Sequence, residues 1–150
     1  MINVQTGEVQ LDDCRSVIHP KLTFQEFSNG DISVSRTMSS HEGWNTCYFE
    51  GKIDGMDADF VICFRHGEMR FIGWQPKVGR DQQDWCDIPV AEQKEVLTNW
   101  LRRVIGTPPY EYEWGVVDMD RDIKTGDFSL IVLYRLEISE REKLGAMRHS

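Results

Sequence analysis

A chain of 150 residues, 40% of them hydrophobic and including five Trp, seven Phe and four Tyr, can pack a core without disulfides or a structural metal. Its formal charge of -8 argues against nucleic-acid binding, which requires a dense basic face. The longest apolar run, Phe60-Val61-Ile62-Cys63-Phe64, falls far short of the roughly 20 residues of a membrane helix. The opening Met1-Ile2-Asn3-Val4-Gln5-Thr6-Gly7-Glu8 has neither a basic leader nor an apolar signal core, so a cytoplasmic protein is expected. Cys14, Cys47, Cys63 and Cys86 lie far apart, with no CxxC pair and no His at zinc-finger spacing. Free thiols in a reducing compartment are expected, with Cys63 a small core residue.

Taken in order, residues 2–11 alternate apolar and polar loosely, as an edge strand does. Thr23-Phe24-Gln25-Glu26 matches a capping box, with Thr23 as N-cap and Glu26 reaching back to its amide. A short helix there buries Phe24 and Phe27 on one face and ends at Asn29-Gly30, residues that tolerate the left-handed conformation. Residues 44–53, 58–64 and 68–75 read as an antiparallel meander joined by turns at Asp54-Gly55 and His66-Gly67. The apolar run at 58–64 lacks alternation, the pattern of a strand covered on both faces.

A long helix follows from near Pro89, with Val90, Leu97, Leu101 and Val104 on one stripe flanked by Val96 and Trp100. Glu92 and Glu95 suit its positive end and Arg102 and Arg103 its negative end. Gly106 and Pro108-Pro109 close it. Residues 112–119 and 128–136 read as two strands around a turn containing Gly126, the second apolar and central. The pattern predicts an α+β fold, an antiparallel sheet with one long helix and one short helix packed on it. Residues 1–138 form the expected single domain and residues 139–150 a charged tail.

Asp118-Met119-Asp120-Arg121-Asp122 begins like a calcium loop, but Ile123 stands where glycine is needed and Ser129 where the closing Glu belongs. On a strand, period-two spacing would put the three Asp side chains on one face. No metal and no cofactor is expected. Neither a phosphate-binding glycine loop nor a GxSxG motif occurs, and none of His19, His41, His66 and His149 lies beside a Ser or Cys in a nucleophile motif. Trp85, within the polar Asp81-Gln82-Gln83-Asp84, suits either an interface anchor or packing against the following helix.

Thr6-Gly7-Glu8, Ile18-His19-Pro20, Leu22-Thr23-Phe24-Gln25-Glu26-Phe27 and Ile53-Asp54-Gly55 mark the N-terminal half and the middle of the chain. The C-terminal half carries Trp100-Leu101, Gly106-Thr107-Pro108-Pro109, Tyr112-Glu113-Trp114-Gly115, Asp122-Ile123-Lys124-Thr125-Gly126 and Ile131-Val132-Leu133-Tyr134. In these segments, and most in the C-terminal half, the chain resembles small bacterial immunity partners of polymorphic and contact-dependent toxins. The resemblance implies a non-enzymatic inhibitor that neutralises a protein toxin, in keeping with an acidic chain meeting a basic nuclease. The carboxylates expected at that contact are Glu111, Glu113, Asp118, Asp120, Asp122 and Asp127. The alternatives are a small enzyme or ligand-binding protein with a pocket on the sheet face, using His41 or His66 with a carboxylate, and a structural adaptor.

Overall fold

The computed structural model describes residues 1–135, so the predicted strand end at Leu136 and the tail at 139–150 lie outside the described residues. The elements are β1 (Val9–Gln10), β2 (Val17–Ile18), α1 (Phe24–Ser28), β3 (Arg36–Ser39), β4 (Trp44–Ile53), β5 (Met56–Arg65) and β6 (Glu68–Pro76), then 3-10 turns at Arg80–Gln82 and Trp85–Asp87, α2 (Val90–Ile105), β7 (Glu111–Tyr112), β8 (Gly115–Arg121) and β9 (Phe128–Tyr134). Among the described residues β1 and β2 form a small hairpin. The other seven strands form one antiparallel sheet in the order β3-β4-β5-β6-β9-β8-β7. The fold is α+β, with one long helix and one short helix among the described residues. Among the described residues no helix is long and apolar enough to cross a membrane.

Local chemistry sets these elements. The capping box of α1 forms in full: the Glu26 amide donates to Thr23 Oγ1 and the Thr23 amide to Glu26 Oε1, both at 3.1 Å. The helix does not end through a left-handed residue, because Asn29 stays right-handed at φ -88° and its amide closes onto Gln25. Turns at Asp54-Gly55 (φ 46° and 80°) and His66-Gly67 (φ 51° and 81°) take the predicted positive-φ geometry and fold β4, β5 and β6 into a meander. Residues 2–11 depart from the expected edge strand. Only an Ile2–Val9 bridge and β1 form, and they pair with each other and with β2 outside the main sheet.

One face of the sheet carries the core. Register places Phe49, Phe60 and Trp74 in one row, with Phe49 stacked on Phe60 at 5.1 Å and Trp74 edge-on to Trp100 of α2 at 6.0 Å. Phe27 of α1 meets Phe49 at 5.9 Å. Both helices therefore lie on the same side, and the N-terminal segment joins them there. Leu11 packs near Gly51, the Trp114 indole donates to Val4 at 2.8 Å, and the Tyr134 hydroxyl donates to Gly7 at 2.7 Å. Burial raises the Tyr134 phenol well above the usual tyrosine range and keeps it a neutral donor.

The chain pattern did not reveal the role of Gln93, whereas of the two fates open to Trp85 the structure takes packing against the following helix. Gln93, fully buried on the stripe of α2, donates to the Trp85 carbonyl (2.8 Å) and to Asp127 (2.9 Å), and accepts from the Phe128 amide (2.9 Å). The Trp85 indole donates to the Phe128 carbonyl at 2.9 Å, so Trp85 is packed against α2 and β9 and is not an exposed anchor. The network satisfies polar groups that would otherwise be costly to bury.

Asp31 ties the end of the α1 segment back to residues 15 and 16. Its carboxylate accepts from the Ser16 hydroxyl (2.5 Å), the Arg15 amide (2.7 Å) and the Ser16 amide (2.9 Å), and these bonds hold its pKa at about 2, below the ordinary 3.8. Because the folded value is depressed, the contribution is complete above the ordinary value and is lost as pH falls toward about 2. An NMR titration of this carboxyl should give a midpoint near 2. A midpoint at the ordinary aspartate value would show that the three bonds do not persist in solution.

Candidate partner-binding face

The opposite face of the sheet is covered by no described element. Among the described residues nothing covers the second side of the strand at 58–64, although the absence of alternation there predicts cover on both sides. Ala58, Phe60, Ile62 and Phe64 face the core, while Asp59 is exposed and Val61 half-buried on the other side. Cys63 is buried, but on this open side, with Thr46 Oγ1 3.4 Å from its sulfur. Likewise Leu130 and Val132 of β9 are buried, whereas Ile131 is half-buried and Leu133 is 43% exposed.

Register assembles these residues into cross-strand rows. One row runs Met38, Thr46, Cys63, Phe71, Leu133, Val116 and Glu111. The next runs Arg36, Tyr48, Val61, Gly73, Ile131 and Asp118. Val61, Phe71, Ile131, Leu133 and Val116 thus form an apolar centre. At the β3 side Arg36 lies over Tyr48 at 4.5 Å, and at the loop end Arg65 lies over Trp44 at 5.2 Å.

The six sequence-predicted carboxylates divide. Glu111, Asp118 and Asp120 gather on this face along β7 and β8, all exposed. Glu113 and Asp122 are exposed at opposite ends of β8, and Asp122 caps its own turn by accepting from Lys124 (2.7 Å). The strand ends at Arg121, so Asp122 does not continue the Asp118–Asp120 row. Asp127 is only 8% exposed and belongs to the Gln93 network. It faces the core because the tight turn before β9 carries it inward.

Sequence reading missed Glu50, Asp57 and Asp59, which the β4–β5 hairpin places exposed on the same face. The signal was present: Asp57-Ala58-Asp59 has the same period-two spacing as Asp118-Met119-Asp120. Lys77 reaches Glu50 at 3.0 Å and Lys52 reaches Asp57 at 3.8 Å. The hydrogen bond to Glu50, aided by the charges of Glu50, Asp59 and Asp57, raises the Lys77 ammonium above its usual range. Among the described residues neither Asp118 nor Asp120 forms an ion pair.

Among the described residues no three His, Cys, Asp or Glu side chains gather to hold a metal. Asp118 accepts from the Met119 amide at 2.8 Å while Asp122 turns to its own loop, so the carboxylates do not converge. Calorimetry with micromolar calcium is expected to show no stoichiometric binding. Binding abolished by Asp120→Asn would contradict this. His66 occupies the β5–β6 turn with its ring against Gly43, and His41 is exposed in the neighbouring loop, both at one end of the sheet and not over its face. A cavity of about 340 Å³ lies instead at the seam of α2 with β7 and β8, lined by residues such as Leu101, Tyr110, Val117 and Met119.

The sequence matches no family model and no curated protein. Its fold is matched by a chain in the solved structure of "Rhs1-CT in complex with cognate immunity protein RhsI1", with a TM-score of 0.60 and 14% sequence identity, over 99% of this chain and 96% of that chain. The likeness spans both chains nearly end to end, and the resemblance read from the sequence is accompanied by a likeness in fold.

Proposed function

We propose that this chain is a cytoplasmic immunity protein that binds a bacterial toxin and blocks it stoichiometrically, without catalysis of its own. The observation that carries the reading is the end-to-end likeness in fold to a chain from a toxin–immunity complex. The open face adds a physical rationale. Its apolar centre is of the kind that anchors protein contacts, and Glu111, Asp118 and Asp120 rim it on one side. With a net charge of -8, the chain would be steered toward a basic partner. A nuclease-type toxin fits, because an enzyme that holds polyanionic nucleic acid presents a cationic surface that an acidic protein can cover. Glu113 and Asp122 extend the acidic edge at the two ends of β8; Asp127 acts through the core.

Co-expression with the toxin encoded beside this gene tests the proposal. Cells carrying both genes are expected to grow, and cells carrying the toxin alone to stop growing. Growth arrest in both, with this protein present and soluble, would end the immunity reading.

A further inference from the structure

We infer that the outer edge of β8 receives an extended segment of the toxin, which adds to the sheet as a strand. This rests on the immunity reading and specifies how contact is made. β7 pairs only with Gly115 and Val116, and the Val117 amide then donates to Tyr110 at 3.0 Å before the chain departs through Pro109 and Pro108. Beyond that point the edge of β8 has no neighbouring strand among the described residues. Because the Asp122 amide points toward β9, bonding Asp127 at 2.9 Å, strand alternation points the Met119 and Arg121 backbone groups outward, in step with Val117. The outward Met119 amide is occupied by the Asp118 side chain, a local bond that a neighbouring strand's carbonyl can replace, freeing the carboxylate.

The gap left where β7 peels away is the cavity of about 340 Å³, walled by Thr98 and Leu101 of α2, Pro108, Tyr110, Val117 and Met119. A strand added beside β8 would send alternate side chains to its two faces. Those on the core side enter this cavity, whose lining is mainly apolar but includes Arg102, Glu111 and Asp118; those on the other side meet Asp118 and Asp120. The segment that fits therefore alternates apolar residues with Lys or Arg. Main-chain bonds would supply affinity, and the cavity and carboxylates would supply selectivity.

Hydrogen exchange on the full chain, alone and with the toxin domain encoded beside it, tests this. The Arg121 amide, and the Met119 amide through opening of its exposed bond to the Asp118 side chain, are expected to exchange readily in the free chain and to slow by more than about tenfold in the complex. Thr98→Trp, which fills the cavity, is expected to weaken binding by about tenfold or more while the fold, checked by thermal melting, persists. Failure of the wild-type chain to bind ends the immunity reading and this inference with it. Binding with both amides still exchanging readily overturns the inference alone. Both amides slow in the free chain, the mark of an edge already filled by this chain or a second copy, also overturns it. Should Thr98→Trp fail to fold, the wild-type exchange data decide.

Discussion

Leu101→Ala is expected to lower the stability of the fold by about 2–5 kcal/mol. Leu101 is 2% exposed on the inner stripe of α2, with Leu97 one turn before it fully buried and Trp100 beside it against Trp74. Truncation removes apolar area from the seam between helix and sheet and leaves space that neighbouring rings cannot readily fill. Those rings are held by their own packing, from Phe27 through Phe49 and Phe60 to Trp74. Val104→Ala should cost less, because Val104 is only half-buried. Urea titration is the check: a lower midpoint with an unchanged slope is expected for Leu101→Ala. An unchanged midpoint would remove Leu101 from the residues that hold α2 to the sheet.

Asp118→Lys combined with Asp120→Lys is expected to slow association with a basic toxin by about tenfold or more at low salt. Their cross-strand partners are Ile131 and Ser129, neither of them charged, so the reversal places no like charge directly opposite in the sheet. The effect should therefore appear in binding and not in folding. Exposed charges are screened beyond about 8 Å at physiological ionic strength, so the difference from wild type should shrink as salt rises. If the two carboxylates become buried against Lys or Arg of the partner, faster dissociation joins the slower encounter. Kinetic binding measurements on both proteins distinguish these contributions. Unchanged association and dissociation rates would exclude both residues from the contact.

Elements with a strong local cause were legible before the fold was seen. The capping box of α1, the positive-φ turns of the meander and the stripe of α2 each depend on residues close in the chain. β3 was not legible: all four of its residues are exposed, so no burial pattern marks it. The strand expected at 112–119 is broken because the chain reverses at Glu113 and Trp114. Gly115 permits the close approach, since a Cβ there would sit 2.0 Å from the Leu133 carbonyl oxygen.

The candidate face was legible only in part, for the same reason. Period two revealed that Asp118 and Asp120 share a side, but cross-strand register was needed to bring Glu50, Asp57 and Asp59 onto it. The apolar runs concealed that the described residues leave one side of β5 and β9 uncovered, because a half-buried Val61 or Ile131 reads in sequence like a core residue. Gln93 carried a readable clue, lying three residues after Val90 and four before Leu97 on the apolar stripe. Its partner Asp127, 34 residues away, could be assigned to the core only once the fold joined them.

The most direct test is a calorimetric titration of the purified chain with the purified toxin domain encoded beside it, repeated at low and high salt, with toxin activity followed in parallel. Saturation at one chain per toxin, activity falling to zero at that ratio, and weaker binding at high salt are the results expected. Full toxin activity in the presence of excess chain, with no heat of binding at either salt, would contradict the account.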